Sequence, residues 1–128
     1  MIIEIAEFIS VILPFIFVIL HCLLILGVPF GEYVLGGSDK VLSLKKRLIS
    51  GIFSLLFVLV GLSFLEYIHW FKIGFSNGFV EITLLIYTIF LGYGIIANGL
   101  LTKSKKEKYL MTPLSILGFI CSIIVLYL

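Results

Sequence analysis

LISGIFSLLFVLVGLSFLEYIHW, residues 48–70, runs through two turns' worth of serine and glycine and a long aliphatic and aromatic stretch before it meets a charged side chain, Glu66. A helix rises about 1.5 Å per residue, and about 20 predominantly apolar residues cross the hydrocarbon core of a bilayer. The stretch has that length and that character. Outward from it, three further runs have the same character, at about 5–28, 79–101 and 109–128. An open sheet or loop facing lipid would leave backbone N–H and C=O groups without partners, at several kcal/mol each. The expected fold is therefore all-α: a single polytopic domain over residues 1–128, a bundle of four transmembrane helices.

Composition agrees. Of 128 residues, 62% are hydrophobic and 12% charged, and the mean hydropathy is +1.30. Soluble domains carry about 25% charged residues, so lipid is the natural solvent for this chain. The opening MIIEIAEF brings Glu4 and Glu7, and no Lys or Arg comes before Lys40. A cleaved signal starts with basic residues, so the first run is read as a retained span. Cys22 and Cys121 each lie inside an apolar run and suggest no disulfide framework.

The basic residues set an expected orientation. Eight of the nine Lys and Arg residues fall in two connections: Lys40, Lys45, Lys46 and Arg47 between the first and second runs, and Lys103, Lys105, Lys106 and Lys108 between the third and fourth. Lys72 is alone on the opposite side. Short loops rich in Lys and Arg stay in the cytoplasm, which places both termini outside in a cytoplasmic (inner) membrane. Tyr67, Trp70 and Phe71 suit an outer aromatic belt, and Phe30, Tyr33 and Tyr109 an inner one.

Local signals mark the helix ends. Ser43 is an expected N-cap for the second helix. Ser104-Lys105-Lys106-Glu107 has capping-box spacing for the fourth, with Thr112-Pro113 as a rival start. Pro14 sits in the outer half of the first helix. Ser50 and Ser54, with Gly92, Gly94 and Gly99, are small residues of the kind that let membrane helices approach closely.

Between the first two runs lies GVPFGEYVLGG, residues 27–37. Glycine and proline end the helix there, and Gly36-Gly37 allow a sharp turn. Gly27, Pro29, Gly31, Gly36 and Gly37 are the expected framework of an ordered loop held at the membrane surface by its apolar side chains. Most polar residues of the chain gather by depth at this same end. The candidate ligand-binding set is His21, Glu32, Arg47, Ser50 and Asn98. His21 lies eight residues before Pro29, roughly 12 Å inside the helix end, and an ionisable group at that depth must face the bundle or a wet cavity. Its bland alternative is a neutral histidine bonded to a neighbouring helix. Glu32 beside Arg47 has the chemistry of a charge-assisted hydrogen bond that pins the loop.

Other chemistries find little support. His21 and His69 belong to opposite halves of the membrane and cannot share an axial iron site, since each metal–imidazole bond is about 2 Å. Glu66 and His69 have the Glu-x-x-His spacing of di-iron bundles, but one copy lacks the further carboxylates. No nucleophile elbow, phosphate loop or zinc-protease motif is present. No cofactor or metal is expected, no catalytic residue is assigned, and nucleic-acid binding is not needed to explain the basic loops, which attract anionic lipid headgroups.

The run HCLLILGVPFGEYVLGGSDKVLSLKKRLIS resembles the opening of a widespread family of small bacterial four-helix integral membrane proteins. The resemblance rests on His21, Gly27, Pro29, Phe30, Gly31, Glu32, Gly36, Gly37, Arg47 and Ser50, and later on Asn98, Ser104, Glu107 and Pro113. Phe30 stands where the family commonly has tryptophan, and Ser43 where it usually has proline. The resemblance implies this architecture and this choice of segment, and no activity. Function is thus expected to be that of an accessory or small-ligand (lipid) binding bundle with a cytoplasm-facing polar site. A small-molecule transporter acting as a dimer is the alternative, and a membrane-embedded enzyme the least favoured. Partners are the bilayer itself and either a homodimer mate or a larger membrane complex.

Overall fold

The computed structural model describes residues 1–31, 41–101 and 104–128. Four helices account for most of them: α1 (Ile2–Ile25), α2 (Leu44–Tyr67), α3 (Asn77–Ile96) and α4 (Lys105–Tyr127). A π-helical turn, Ala97–Leu101, prolongs α3. Each of the four is long and apolar enough to cross a membrane. The protein is an all-α, multi-pass membrane bundle.

The helices form a closed ring, each packing on its chain neighbours and α1 returning onto α4. Side-chain pairs show their directions. Ile25 meets Gly51, Cys22 meets Ser54, Phe17 meets Phe57 and Phe15 meets Gly61, so α1 and α2 run antiparallel. Gly92 faces Phe119 and Gly99 faces Thr112, so α3 and α4 do the same.

Helix boundaries follow capping chemistry. α1 stops in a Schellman motif: Val28 N–H donates to the Leu23 carbonyl, Gly27 N–H donates to that of Leu24, and Gly27 takes φ +95°. Ser43 Oγ accepts from Lys46 N–H at 3.4 Å, so α2 begins a turn before residue 48. Ser76 does the same for Phe79 N–H at 3.2 Å. Ser104 Oγ accepts from Glu107 N–H at 3.3 Å, so α4 starts at this cap and Pro113 lies inside the helix. α2 ends sooner than residue 70, in a second Schellman motif with His69 at φ 61° in the place glycine usually takes.

Burial is arranged for lipid. Phe17, Phe57, Phe64, Leu84, Tyr87 and Leu91 form the centre, while Ile19, Leu55, Ile86 and Ile89 point outward. Lipid offers helices no hydrophobic reason to associate, so close approach through small residues must hold them. Ser50, Ser63 and Ser122 are fully buried. Gly61 and Gly118 sit closer still, where an added Cβ would fall 2.6 Å from Phe15 and from Leu13 respectively.

At the far end from the basic connections, Glu66 organises the turn into α3. Its carboxylate accepts from Gly74 N–H at 3.1 Å and Phe75 N–H at 3.0 Å. The Glu-x-x-His spacing is thus used by the acid to cap a loop.

Candidate functional site

Arg47 lies in the first turn of α2, where the helix opens after its Ser43 cap. Its side chain folds back, and Nε donates to the Leu42 carbonyl at 3.0 Å. The guanidinium then rests against Gly27, where a Cβ would lie 3.4 Å from Nη2. Gly27 therefore has two reasons to be glycine: the left-handed backbone and the arginine above it.

From Arg47 a line of polar groups descends between α1 and α2. Ser50 is one turn further along α2 on the same face; it is 0% exposed, and its Oγ has no hydrogen-bond partner among the described residues. Ser54 follows, its Oγ 4.0 Å from Cys22 Sγ. His21 closes the line, 6% exposed. Its ring stacks against Phe53 (5.6 Å between centroids, 29°) and Phe57 (5.7 Å, 22°). Nδ1 of His21 is buried and likewise without a partner among the described residues. Arginine, serine and imidazole in one apolar groove make a donor-rich seam that begins at the helix ends and reaches well into the span.

The expected set is thus partly gathered. His21, Arg47, Ser50 and Gly27 share the α1–α2 seam. Asn98 belongs to the other side of the bundle: it sits in the π-helical turn, and its Nδ2 donates to Ser115 Oγ at 3.5 Å across the α3–α4 contact. Gly94 brings the two helices together at that point, a Cβ there meeting Ser115 Oγ at 3.2 Å. Pro29 is exposed just past the Schellman turn, and Gly31 is buried. Glu32, Gly36 and Gly37 lie outside the described residues.

Glu107 sits where the capping-box spacing puts it, in the first turn of α4, but its burial has no counterpart in the sequence reading. Only 3% exposed, it is buried in the first turn of α4. Met111, one turn on and on the same face, packs against the Leu24–Leu42 pair at the α1–α2 end. The Ser-x-x-Glu spacing gave Glu107 a role as a capping residue, and neither that spacing nor the resemblance implied that it is buried. The π-helical turn carrying Asn98 had no sequence signal either.

Among the described residues no three His, Cys, Asp or Glu side chains gather as a metal site would require. His69 follows the end of α2, while His21 stacks at the level of Phe57, twelve residues earlier, with about 15 Å of helix between Phe57 and the helix end. No family model, curated protein or solved structure matches the chain.

Proposed function

We propose that this protein is a binding bundle whose α1–α2 seam receives a small polar molecule or the headgroup of a lipid at the basic end of the molecule. The observation that carries this reading is the pair of buried, unpartnered groups Ser50 Oγ and His21 Nδ1. A polar atom left unpaired in an apolar interior costs about 1–3 kcal/mol, and a ligand supplying partners removes that cost. Among the described residues no hydroxyl or thiol of the seam is hydrogen-bonded to His21 as a nucleophile to its base, which favours holding a molecule over transforming it. By the distribution of Lys and Arg, the seam opens to the cytoplasm and both termini lie outside. Membership of the small bacterial four-helix family is part of the same proposal, since His21, Gly27, Arg47 and Ser50 carry both the resemblance and the seam.

Native mass spectrometry of the protein released from nanodiscs tests this, with wild type beside His21→Phe and Ser50→Ala. Phenylalanine keeps the ring stack and removes the imidazole nitrogens. A discrete adduct present on wild type and lost from both variants is expected. Equal retention in both would sink the idea.

A second reading, an accessory subunit or the protomer of a dimeric carrier, draws on a different observation. α3 and α4 bury 28% of their spans within the bundle, against 39% for α1 and α2. The more open pair leaves a broader face for another membrane protein. Crosslinking through single cysteines on the lipid side of α3 that captured no partner and no second copy would count against it.

A further inference from the structure

Arginine carries five N–H donors. In Arg47 one of them, Nε–H, is spent on the Leu42 carbonyl, which fixes the plane of the guanidinium. Among the described residues its two Nη groups take no hydrogen bond or ion pair, and Nη2 lies against Gly27, whose lack of a Cβ leaves room for it. A held guanidinium with two free NH₂ groups is a fork for a planar or tetrahedral oxyanion.

Three further features narrow the class. Ser50, whose Oγ is fully buried and unpartnered, lies one turn further along α2 on the face of Arg47, about 4.5 Å deeper by helix rise. The surrounding charge is positive: Lys45 and Lys46 share the first turn of α2 with Arg47, and Lys105, Lys106 and Lys108 stand around the start of α4, with Glu107 the acid among the described residues of that end. The fork also sits at the end of a helix long enough to span, where headgroups are met. We propose that Arg47 and Ser50 together bind a phosphate monoester, with Arg47 holding the phosphate oxygens and Ser50 the adjoining ester or hydroxyl oxygen. This rests on the binding reading above and names the ligand class of that seam. Phosphate is preferred to carboxylate because it presents more oxygens and more charge to a fork with a hydroxyl beneath it.

The source of the phosphate is a lipid headgroup or a soluble ester, and two arms separate them. In the first, the protein is reconstituted in phosphatidylcholine nanodiscs containing phosphatidic acid, and the lipid retained on release is weighed. In the second, glycerol phosphate is titrated while the Arg47 side-chain nitrogen signals are followed. Wild type is expected to retain phosphatidic acid over phosphatidylcholine, or to bind glycerol phosphate, and Arg47→Gln to lose about tenfold or more of that preference. Arg47→Lys is expected to fall between, since it keeps the charge and loses the fork. Circular dichroism melts establish that each variant is folded. Lys105→Gln is the control for the basic surface: a loss as large as that of Arg47→Gln overturns the proposal. An adduct lost in His21→Phe but kept in Arg47→Gln overturns it too, while leaving the binding reading standing. Wild type that carries no adduct and answers neither probe removes both.

Discussion

Gly118 and Leu13 approach so closely that a Cβ on the glycine would fall 2.6 Å from Leu13 Cδ2. The same Cβ would stand 2.9 Å from Leu91 Cδ1, so α4 is wedged between α1 and α3 at this level. Leu13 and Leu91 are both buried and have nowhere to turn. Gly61 has an equally close neighbour in Phe15, but that ring is half-buried and can rotate toward lipid. Alanine gains about 0.4–1 kcal/mol from the unfolded chain where the backbone permits it, while overpacking costs about 1–3 kcal/mol. Gly118→Ala is therefore expected to lower stability by about 1–2 kcal/mol, and Gly61→Ala to be near neutral. Unfolding of both variants in the same detergent decides it, and equal effects would contradict the packing described.

His69 bears φ 61° at the end of α2, with its side chain exposed. The left-handed region crowds the Cβ of any residue but glycine. His69→Gly should therefore raise stability by up to about 1 kcal/mol. Gly27→Ala is the mirror case: it meets the same strain at φ +95°, and adds a methyl 3.4 Å from Arg47 Nη2. It is expected to cost more than about 1 kcal/mol. A thermal melt shifted the same way by both substitutions would refute the argument.

The loop after α2 depends on the Glu66 carboxylate, which accepts from two successive amides, Gly74 and Phe75. Hydrogen bonds to a charged group contribute about 1.5–3 kcal/mol when sheltered, and less here because Gly74 N–H is open to water. Glu66→Ala should speed hydrogen exchange of those two amides by about tenfold without melting the spans. Glu66→Gln, with one acceptor oxygen left, should fall between. Unchanged exchange in Glu66→Ala would show that the turn holds without the acid.

How much of this was legible beforehand differs from residue to residue. Four helices were, because each apolar run is long enough to span and each break carries charge or glycine. Ser43 and Gly27 announced their ends of helix through residue type and spacing, while Ser104 shared its claim with Thr112-Pro113 until the structure decided for Ser104. His69 did not, since nothing in its identity signals the αL position that glycine normally fills. The twelve glycines likewise gave no clue that Gly61 and Gly118 are wedged, because that depends on how each helix is rotated. The same blindness affects the candidate site. Depth grouped Asn98 with His21, Arg47 and Ser50, but depth says nothing of which seam a side chain enters, and Asn98 faces Ser115.

Orientation is open to a direct test. In a background with Cys22→Ala and Cys121→Ala, single cysteines at Lys72→Cys and Lys105→Cys report the two ends of the bundle. The excess of Lys and Arg at the Lys105 end predicts labelling of Lys72→Cys by an impermeant maleimide on intact cells. Lys105→Cys should react only after permeabilisation. The reverse pattern would invert the proposed topology and turn the Arg47 seam to the outside.

Tyr87 offers the sharpest question about the interior. Its ring meets Phe64 edge-on at 5.8 Å and Phe57 edge-on at 6.4 Å, and Phe57 in turn stacks on His21. Its hydroxyl is buried and has no partner among the described residues, as is true of Ser10, Ser63 and Ser122. A hydroxyl in that state costs about 1–3 kcal/mol, whereas the ring contacts survive its removal. Tyr87→Phe is therefore expected to leave stability unchanged or raise it by about 1 kcal/mol. A loss of more than about 1 kcal/mol would mean that the hydroxyl is bonded after all. Water is the partner such a loss would implicate, since buried waters typically satisfy polar groups of this kind. The core beyond Phe57 would then be hydrated, and Phe57 would be a single ring standing between that water and His21.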